Sequence, residues 1–440
     1  MKFLTSIIAL IFCDIACIVF ALIISYVIRS NIGNFNGNGN IYEIITYIRF
    51  SLVYCAVLTL FLYEGLYTKR YDFWHESYLI LKTLLFSLII ILAYLGITKT
   101  IQEYSRFIII VAFMIMAFLI PLVKIILKKF LFHLGIWERK AKIYGSQDLF
   151  IEKEIFENHY LGYSKAHGIE AKTIFINSLT FHADELKNVI ENEIRQSHEV
   201  IFMPLVNDYD FSKSPMYLLN NSRTNLFILE NRLKSRFRKY VKHVIDIILL
   251  VSILPVALII FALIIFLIKK EESDAKIFFI QKRLGKDGRI FKCYKFRTMY
   301  ENSDQKLHEY LHLHPKEIEY YLTYHKYKND PRITKIGAFL RKTSLDELPQ
   351  IFNVLKNEMS FIGPRPYMLN EAEKMGRMKD LVLDVKPGIS GLWQVSGRSD
   401  VDFLRRVELD TWYVRNWSIW LDVVIILKTI KVVLLRKGAS

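Results

Sequence analysis

The chain has little cysteine, four residues in 440. Cys13, Cys17 and Cys55 lie inside apolar runs and Cys293 stands alone, which excludes an obvious disulfide framework and any metal-ligand spacing; the four read as packing residues. Zinc-finger spacing and an aromatic RNA-binding motif are also missing. The formal charge of +16, from 59 basic and 43 acidic residues, therefore does not point to nucleic acid. Its basic groups gather after Leu127 and beside apolar segments, which suits anionic lipid headgroups or a phosphorylated substrate at a cytoplasmic membrane surface.

Apolar sequence is abundant. Hydrophobic residues make up 52% and aromatics 14%, too much for an ordinary soluble enzyme, in a chain long enough for two or three domains. The first apolar stretch, Leu4 to Ile28, is interrupted only by Asp14 and is long enough to cross a bilayer. It is too long for a signal-peptide core, and an Asn/Gly-rich loop follows it where a small-residue cleavage site would stand. Further stretches at Ile41 to Leu66, Ser77 to Ile97 and Arg106 to Leu127 complete a four-span bundle over residues 1–135. Lys69 and Arg70 follow the second stretch; Lys124, Lys128, Lys129, Arg139, Lys140 and Lys142 end or follow the fourth. The other two loops are poor in basic residues, so both ends of the bundle are expected to face the cytoplasm.

Residues 139–231 change character. Short β-like runs, at Ala141 to Gly145, Thr173 to Ile176, Glu199 to Met203 and Asn225 to Leu229, alternate with polar helical stretches, as in a small α/β domain with a parallel sheet. The first run ends in Gly145-Ser146-Gln147-Asp148, without the G-x-G-x-x-G glycines that let a backbone approach a pyrophosphate. A Rossmann-like domain without an evident nucleotide site, structural or regulatory in role, is the expectation.

A fifth apolar run, residues 244–268, follows a basic segment containing Arg236, Arg238, Lys239 and Lys242 and precedes Lys269 and Lys270. Basic flanks on both sides hold both ends at the cytoplasmic leaflet. Pro255 near the centre removes a helix hydrogen bond, and Ser252 could return one to the freed backbone. These features favour a re-entrant helix-break-helix over the alternative, a kinked transmembrane helix.

Farther on, Ser344-Leu345-Asp346-Glu347 sets two adjacent carboxylates beside Arg341 and Lys342. One acid could attack an electrophile while the other holds a divalent cation. The same residues also read as a capping box, with Ser344 and Glu347 satisfying backbone N–H groups and Asp346 complementing the helix dipole.

Motifs in fixed order decide between these readings. Lys242-His243-Val244-Ile245-Asp246, the apolar break at Pro255, Tyr294-Lys295-Phe296-Arg297-Thr298-Met299, Asn329-Asp330-Pro331-Arg332-Ile333-Thr334-Lys335-Ile336-Gly337, Thr343 to Gln350, Gly363-Pro364-Arg365-Pro366, and Lys386 to Arg398 succeed one another. The segment 242–440 resembles the bacterial sugar transferases, polyprenyl-phosphate sugar-1-phosphate transferases. The front half is similar, in architecture only, to the large members of that family.

The resemblance implies a mainly α-helical, membrane-embedded catalytic domain over residues 232–440, facing the cytoplasm of a bacterial inner membrane. Its substrates would be a UDP-hexose and undecaprenyl phosphate. Asp346 would be the nucleophile, forming an aspartyl-phosphosugar and releasing UMP, and Glu347 would bind or position Mg²⁺. Lys295, Arg297, Arg341, Arg365 and Arg398 are candidates for the phosphate oxygens, Arg365 on a platform stiffened by Pro364 and Pro366. Asp410 is a candidate for contacting substrate or orienting an arginine.

Other features weigh less. His308, His312 and His314 fit a solvated or interfacial helix better than a metal site. Tyr320, Tyr321, Tyr324 and Tyr327, and the later Trp412, Tyr413, Trp417 and Trp420, fit either headgroup-depth helices or core packing. Two rival classes stay open: a membrane-anchored nucleotide-sugar dehydratase, which needs a second dinucleotide fingerprint, and a non-enzymatic scaffold or transporter. The sugar and the oligomeric state are not fixed; a homodimer is left open.

Overall fold

The computed structural model describes residues 2–36, 44–98, 104–145, 149–166, 171–196, 199–203, 216–219, 224–227, 233, 235–314, 317, 330–396 and 402–435. They fall into two compact units, Met1–Asn207 and Asp208–Ser440.

The first unit opens with helices α1 (Lys2–Asn36), α2 (Ile44–Ile48), α3 (Ser51–Tyr63), α4 (Phe73–Ile97) and α5 (Arg106–His133). The second apolar stretch is thus two helices, broken around Arg49 and Phe50, where a single span was expected. Asp72 starts α4 by accepting a hydrogen bond from the Trp74 amide at 3.0 Å, satisfying one of the orphan donors of the first turn. By length and composition, four stretches here, counting α2 and α3 as one, could cross a membrane, and so could a fifth helix in the second unit. The chain is a membrane protein.

Four charged side chains are wholly buried within the bundle: Asp14, Glu76, Lys124 and Lys128. Lys124 Nζ lies 3.2 Å from Asp14 and 3.6 Å from Glu76, Lys128 pairs with the other Glu76 oxygen, and Tyr67 donates to Asp14 at 2.8 Å. Lys124 and Lys128, one helical turn apart, point inward to neutralise two acids, whereas the sequence reading counted them as topological signals at a membrane surface. Arg70 is also committed internally. Its Nη1 donates to the carbonyls of Trp137, Leu161 and Gly162 at 3.2, 2.8 and 3.1 Å, and its guanidinium stacks on the Trp137 ring.

Those three carbonyls belong to an α/β layer. Strands β1 (Arg139–Tyr144), β2 (Tyr163–Lys165), β3 (Thr173–Asn177) and β4 (Glu199–Met203) form a parallel sheet in the order β2-β1-β3-β4, with helices α6 (Leu149–Phe156) and α7 (Ala183–Gln196) in the connections. All five residues of β3 are buried, the apolar Ile174, Phe175 and Ile176 flanked by Thr173 and Asn177, as in a parallel sheet covered on both faces. The run at Asn225 does not join this sheet. Strand β6 (Thr224–Phe227) pairs antiparallel with β5 (Met216–Leu219) in a separate hairpin.

The second unit is organised around helix α8 (Arg236–Glu271). The helix continues across Pro255 with no non-helical residue at the anticipated break, although the proline's missing N–H leaves one backbone bond unmade there. Ser252 does not repair the proline gap: its hydroxyl donates to Ile248 O at 2.8 Å, ordinary back-bonding to the fourth residue before it. One side of α8 packs on the unit and the rest is apolar and exposed, including Ile248, Val251, Ile259 and Phe266.

Hairpin β7 (Phe278–Leu284) and β8 (Ile290–Phe296) follows, then exposed α9 (Ser303–Leu313), α10 (Lys335–Thr343), α11 (Ile351–Leu355), β9 (Ser360–Ile362), α12 (Lys379–Leu383), β10 (Gly388–Ser390), α13 (Leu392–Val395), α14 (Phe403–Arg415) and α15 (Ile419–Leu435). Strands β9 and β10 pair in parallel so closely that a Cβ on Gly388 would sit 2.1 Å from Gly363 N; only glycine permits this approach. Tyr413 and Trp417 are core residues, with Tyr413 O–H and Trp417 Nε1–H both donating to Asp422. The packing alternative holds for that pair; Tyr320, Tyr321, Tyr324 and Tyr327 lie outside the described residues.

Candidate active site

A cavity of about 940 Å³ opens where β8, the turn around residues 343–350, the loop at Arg365 and Pro366, and the segment 389–395 converge. Strand β8 supplies its first cation: Lys295 lines the cavity beside Phe296, which is 2% exposed and also packs in the core.

The acidic pair arrives by a left-handed turn. Ser344 (φ 57°, ψ 18°) terminates α10, its amide donating back to Arg341 O, and its side chain makes no capping hydrogen bond. Ser344 thus stands at the end of one helix and the start of the next turn, and the capping-box reading fails because its side chain takes no backbone N–H. A tight helical turn over Leu345–Gln350 follows. Asp346 and Glu347 line the cavity together with Leu345 and Leu348, which also pack toward Phe261, Phe296 and Leu340.

Lys295 Nζ joins the two acids, 2.6 Å from Glu347 Oε1 and 3.7 Å from Asp346 Oδ2. Burial works against the lysine's charge, but Glu347 and Asp346 outweigh it and hold its pKa above the ordinary value. Burial raises the Asp346 pKa; Lys295 opposes this and Glu347 adds to it. Asp346 is thus a poorly hydrated carboxyl beside a cation, the environment of a nucleophile.

The other cations are placed by specific contacts. Arg341 Nε donates to Thr298 Oγ1 at 2.9 Å, and burial lowers the Arg341 pKa while Asp346 opposes the shift. Arg297 lies 3.5 Å from Glu301, with its buried Nε lacking an acceptor. Both line the cavity, as does Arg365, whose guanidinium lies over the Trp393 ring, 5.2 Å from its centroid. Arg398 lies outside the described residues.

Asp410 is fully buried in α14 and is not part of the cavity wall. Its Oδ2 accepts from the Arg365 amide at 3.0 Å and from the Tyr367 hydroxyl at 2.8 Å. These two bonds hold the loop that carries Arg365. Burial pushes its pKa up to about 7 against those two hydrogen bonds.

Sequence reading assigned no role to several residues that hold this geometry. Asn353, buried, accepts from Tyr294 N at 3.2 Å and donates to Lys292 O and Glu358 at 2.7 Å each, pinning the strand that carries Lys295 to the helix after the acids. Arg406 lies over Trp393 on the cavity wall at 5.3 Å from the ring centroid. A lone buried asparagine and an arginine within a plain helix carry no local signal. Lys242 and Asp246 were visible as a motif, and their contacts dock α8: Lys242 pairs with Asp422 at 2.7 Å, and Asp246 Oδ1 accepts from Ser360 Oγ and Phe361 N.

Among the described residues no three His, Cys, Asp or Glu side chains gather as a metal cage. His308 and His312 face each other at 3.3 Å on the exposed helix α9, the solvated setting anticipated for them. Glu347 uses only Oε1 on Lys295 among the described residues. A hard divalent cation that takes one or two carboxylates and completes its shell with substrate phosphates fits such a site.

A cavity lined by two acids and several cations suits chemistry on phosphorylated groups. Residues 237–436 match the family model described as bacterial sugar transferase. The chain is 35% identical over 408 residues to an uncharacterized sugar transferase of Haemophilus influenzae, an alignment covering 85% of each chain. It is 34% identical to an undecaprenyl-phosphate galactose phosphotransferase of Salmonella typhimurium, over 85% of this chain and 84% of that one. It is 32% identical to a UDP-galactose-lipid carrier transferase of Erwinia amylovora, over 85% and 84%. The chain belongs to the bacterial sugar transferase family and is an enzyme of that class.

Proposed function

We propose that this protein transfers hexose-1-phosphate from a UDP-sugar to undecaprenyl phosphate, releasing UMP and starting O-antigen, capsule or exopolysaccharide synthesis. The observation that carries the reading is Lys295 held between Asp346 and Glu347 in a cavity also lined by Arg297, Arg341 and Arg365. An Asp346 carboxylate oxygen attacks the sugar-bearing phosphorus. The bond from that phosphorus to the bridging oxygen breaks, and UMP departs with the electron pair. A phosphate oxygen of the polyprenyl carrier then attacks the same phosphorus, expels Asp346 and leaves a lipid diphosphate sugar. Two bulky substrates are thereby handled in turn at one site.

Glu347 would hold Mg²⁺, which neutralises diphosphate charge when bound. Arg341 and Arg365 offer planar donors to the phosphate oxygens, while Lys295 opposes the rise in the Asp346 pKa that burial causes.

The same reading takes the three-part division 1–135, 139–231 and 232–440, with a Rossmann-like middle domain, and puts the last part on the cytoplasmic face of the inner membrane. Support for a re-entrant α8 comes from its contacts. Asp246 near its start binds Ser360 and Phe361, and Glu271 at its end accepts from the amides of Lys335 and Ile336 at 2.7 and 2.9 Å. Both ends are tied to one unit, a restraint that a helix delivering its ends to opposite membrane surfaces would have to break. Two rivals lose ground. Among the described residues of the second unit only two-stranded sheets occur, so no second dinucleotide-binding sheet supports a dehydratase. A scaffold would not need Asp346.

The test is turnover of purified protein with undecaprenyl phosphate and a panel of UDP-sugars. Release of UMP with formation of lipid diphosphate sugar is expected, with UDP-galactose and UDP-glucose the first substrates to try; no turnover with any UDP-sugar contradicts the proposal.

A further inference from the structure

The cavity wall opposite in sequence to the acidic pair carries polar groups that the phosphotransfer step does not use. Trp393 Nε1–H and Gln394 Oε1 are both buried and both lack a hydrogen-bond partner, and both residues line the cavity. An unsatisfied donor and an unsatisfied acceptor on adjacent residues are costly unless a ligand completes them. The orientation of the glutamine is not arbitrary. Its Nε2 donates to Ile389 O at 3.0 Å, and a carbonyl there can only accept, so Oε1 is the atom left to the cavity.

Resting on the UDP-sugar reading above, we infer that Trp393 and Gln394 read the base of the nucleotide, selecting uracil by its imide edge. Uracil presents an N3–H donor flanked by carbonyl acceptors. Gln394 Oε1 accepts from N3–H while Trp393 Nε1–H donates to O4, the carbonyl that cytosine replaces with an amino group. Cytosine presents a bare N3 acceptor at the same position, which would meet the glutamine oxygen lone pair to lone pair. Arg365 and Arg406, each about one ring-stacking distance from Trp393, at 5.2 and 5.3 Å, place two cations beside the base and suit the phosphate joined to it. Neighbouring positive charge is already felt: burial lowers the Arg406 pKa and Arg365 lowers it further.

A site that hydrogen-bonds a ligand N–H rejects an analogue lacking it far better than a site that measures shape alone. The experiment is binding of UMP and of CMP to the full-length protein in nanodiscs by calorimetry, together with turnover of the UDP-sugar. Wild type should prefer UMP. Gln394→Leu and Trp393→Phe should each weaken UMP by about tenfold and leave CMP within about twofold, collapsing the preference. Arg406→Gln should weaken both nucleotides alike, since it meets phosphate and not base.

If wild type turns over the UDP-sugar yet binds UMP and CMP equally, this inference falls and the proposed reaction stands. Unchanged UMP preference in both folded variants, Gln394→Leu and Trp393→Phe, overturns it as well. Absence of both turnover and UMP binding in wild type removes the reaction and the inference together.

Discussion

Lys295 Nζ stands 2.6 Å from Glu347 Oε1, so the strand and the acidic turn are linked by one half-buried charge pair. Replacing Lys295 with Met leaves the two adjacent carboxylates without the cation that joins them. The Asp346 pKa should then rise further and the nucleophile protonate more readily. The expected loss in kcat/KM is roughly 10²–10³, the size seen when one preorganised electrostatic partner is removed. Steady-state turnover of Lys295→Met against pH checks this, with a rate limb displaced to higher pH as its signature.

Asn353 joins the Lys295 strand to the helix after Asp346 without touching the cavity. Asn353→Leu strands the Tyr294 amide and Lys292 carbonyl in the interior. A stability loss of about 3 kcal/mol is expected from these unmet groups, with kcat falling more than KM rises. Thermal unfolding and kinetics on the same preparation measure both.

Asp410 supplies a pH dependence with a definite sign. Its folded-state pKa is raised to about 7, while an unfolded aspartate titrates near about 4. Between those values the folded protein holds a proton that the unfolded chain releases, so this group's contribution to stability is lost as pH rises toward 7 and stays lost above it. Asp410→Asn keeps an acceptor for Arg365 N and Tyr367 O–H but cannot ionise. Relative to wild type, its melting temperature should be higher at pH 8 than at pH 5.5 by roughly 3 °C. An offset that does not change with pH would show that Asp410 is not the titrating group.

The topology of α8 can be read by labelling. Single cysteines at Lys239 and Lys270, in a background lacking the four native cysteines, should both resist an impermeant thiol reagent in intact spheroplasts and both react once the membrane is opened. Reaction at position 270 alone in intact cells would establish a fifth crossing.

Most of the membrane architecture and the acidic pair were legible in the sequence, because long apolar runs and two adjacent acids are local patterns. The parallel strands at Ala141, Thr173 and Glu199 were legible for the same reason. Pairing was less so: the run at Asn225 looked like a fourth parallel strand, and only its partner at Met216 shows that it belongs to a hairpin. Ser344 was misread because Ser-x-x-Glu spells a capping box in any context, and its left-handed backbone is imposed by the end of the preceding helix. Lys124, Lys128 and Arg70 were read by position along the chain, but their roles depend on what lies across the bundle. Asp410 was visible only through resemblance, and its positioning role became plain when its two hydrogen bonds were seen.

The central claim is that Asp346 carries the sugar phosphate during turnover. Wild-type protein and Asp346→Asn, both folded in nanodiscs, are incubated with Mg²⁺ and a UDP-sugar radiolabelled in the sugar, with no polyprenyl phosphate present, then denatured and counted. The account predicts label bound to wild type, discharged by undecaprenyl phosphate added before denaturation, and none on Asp346→Asn. Equal labelling of the two proteins, or full turnover by Asp346→Asn, would contradict it.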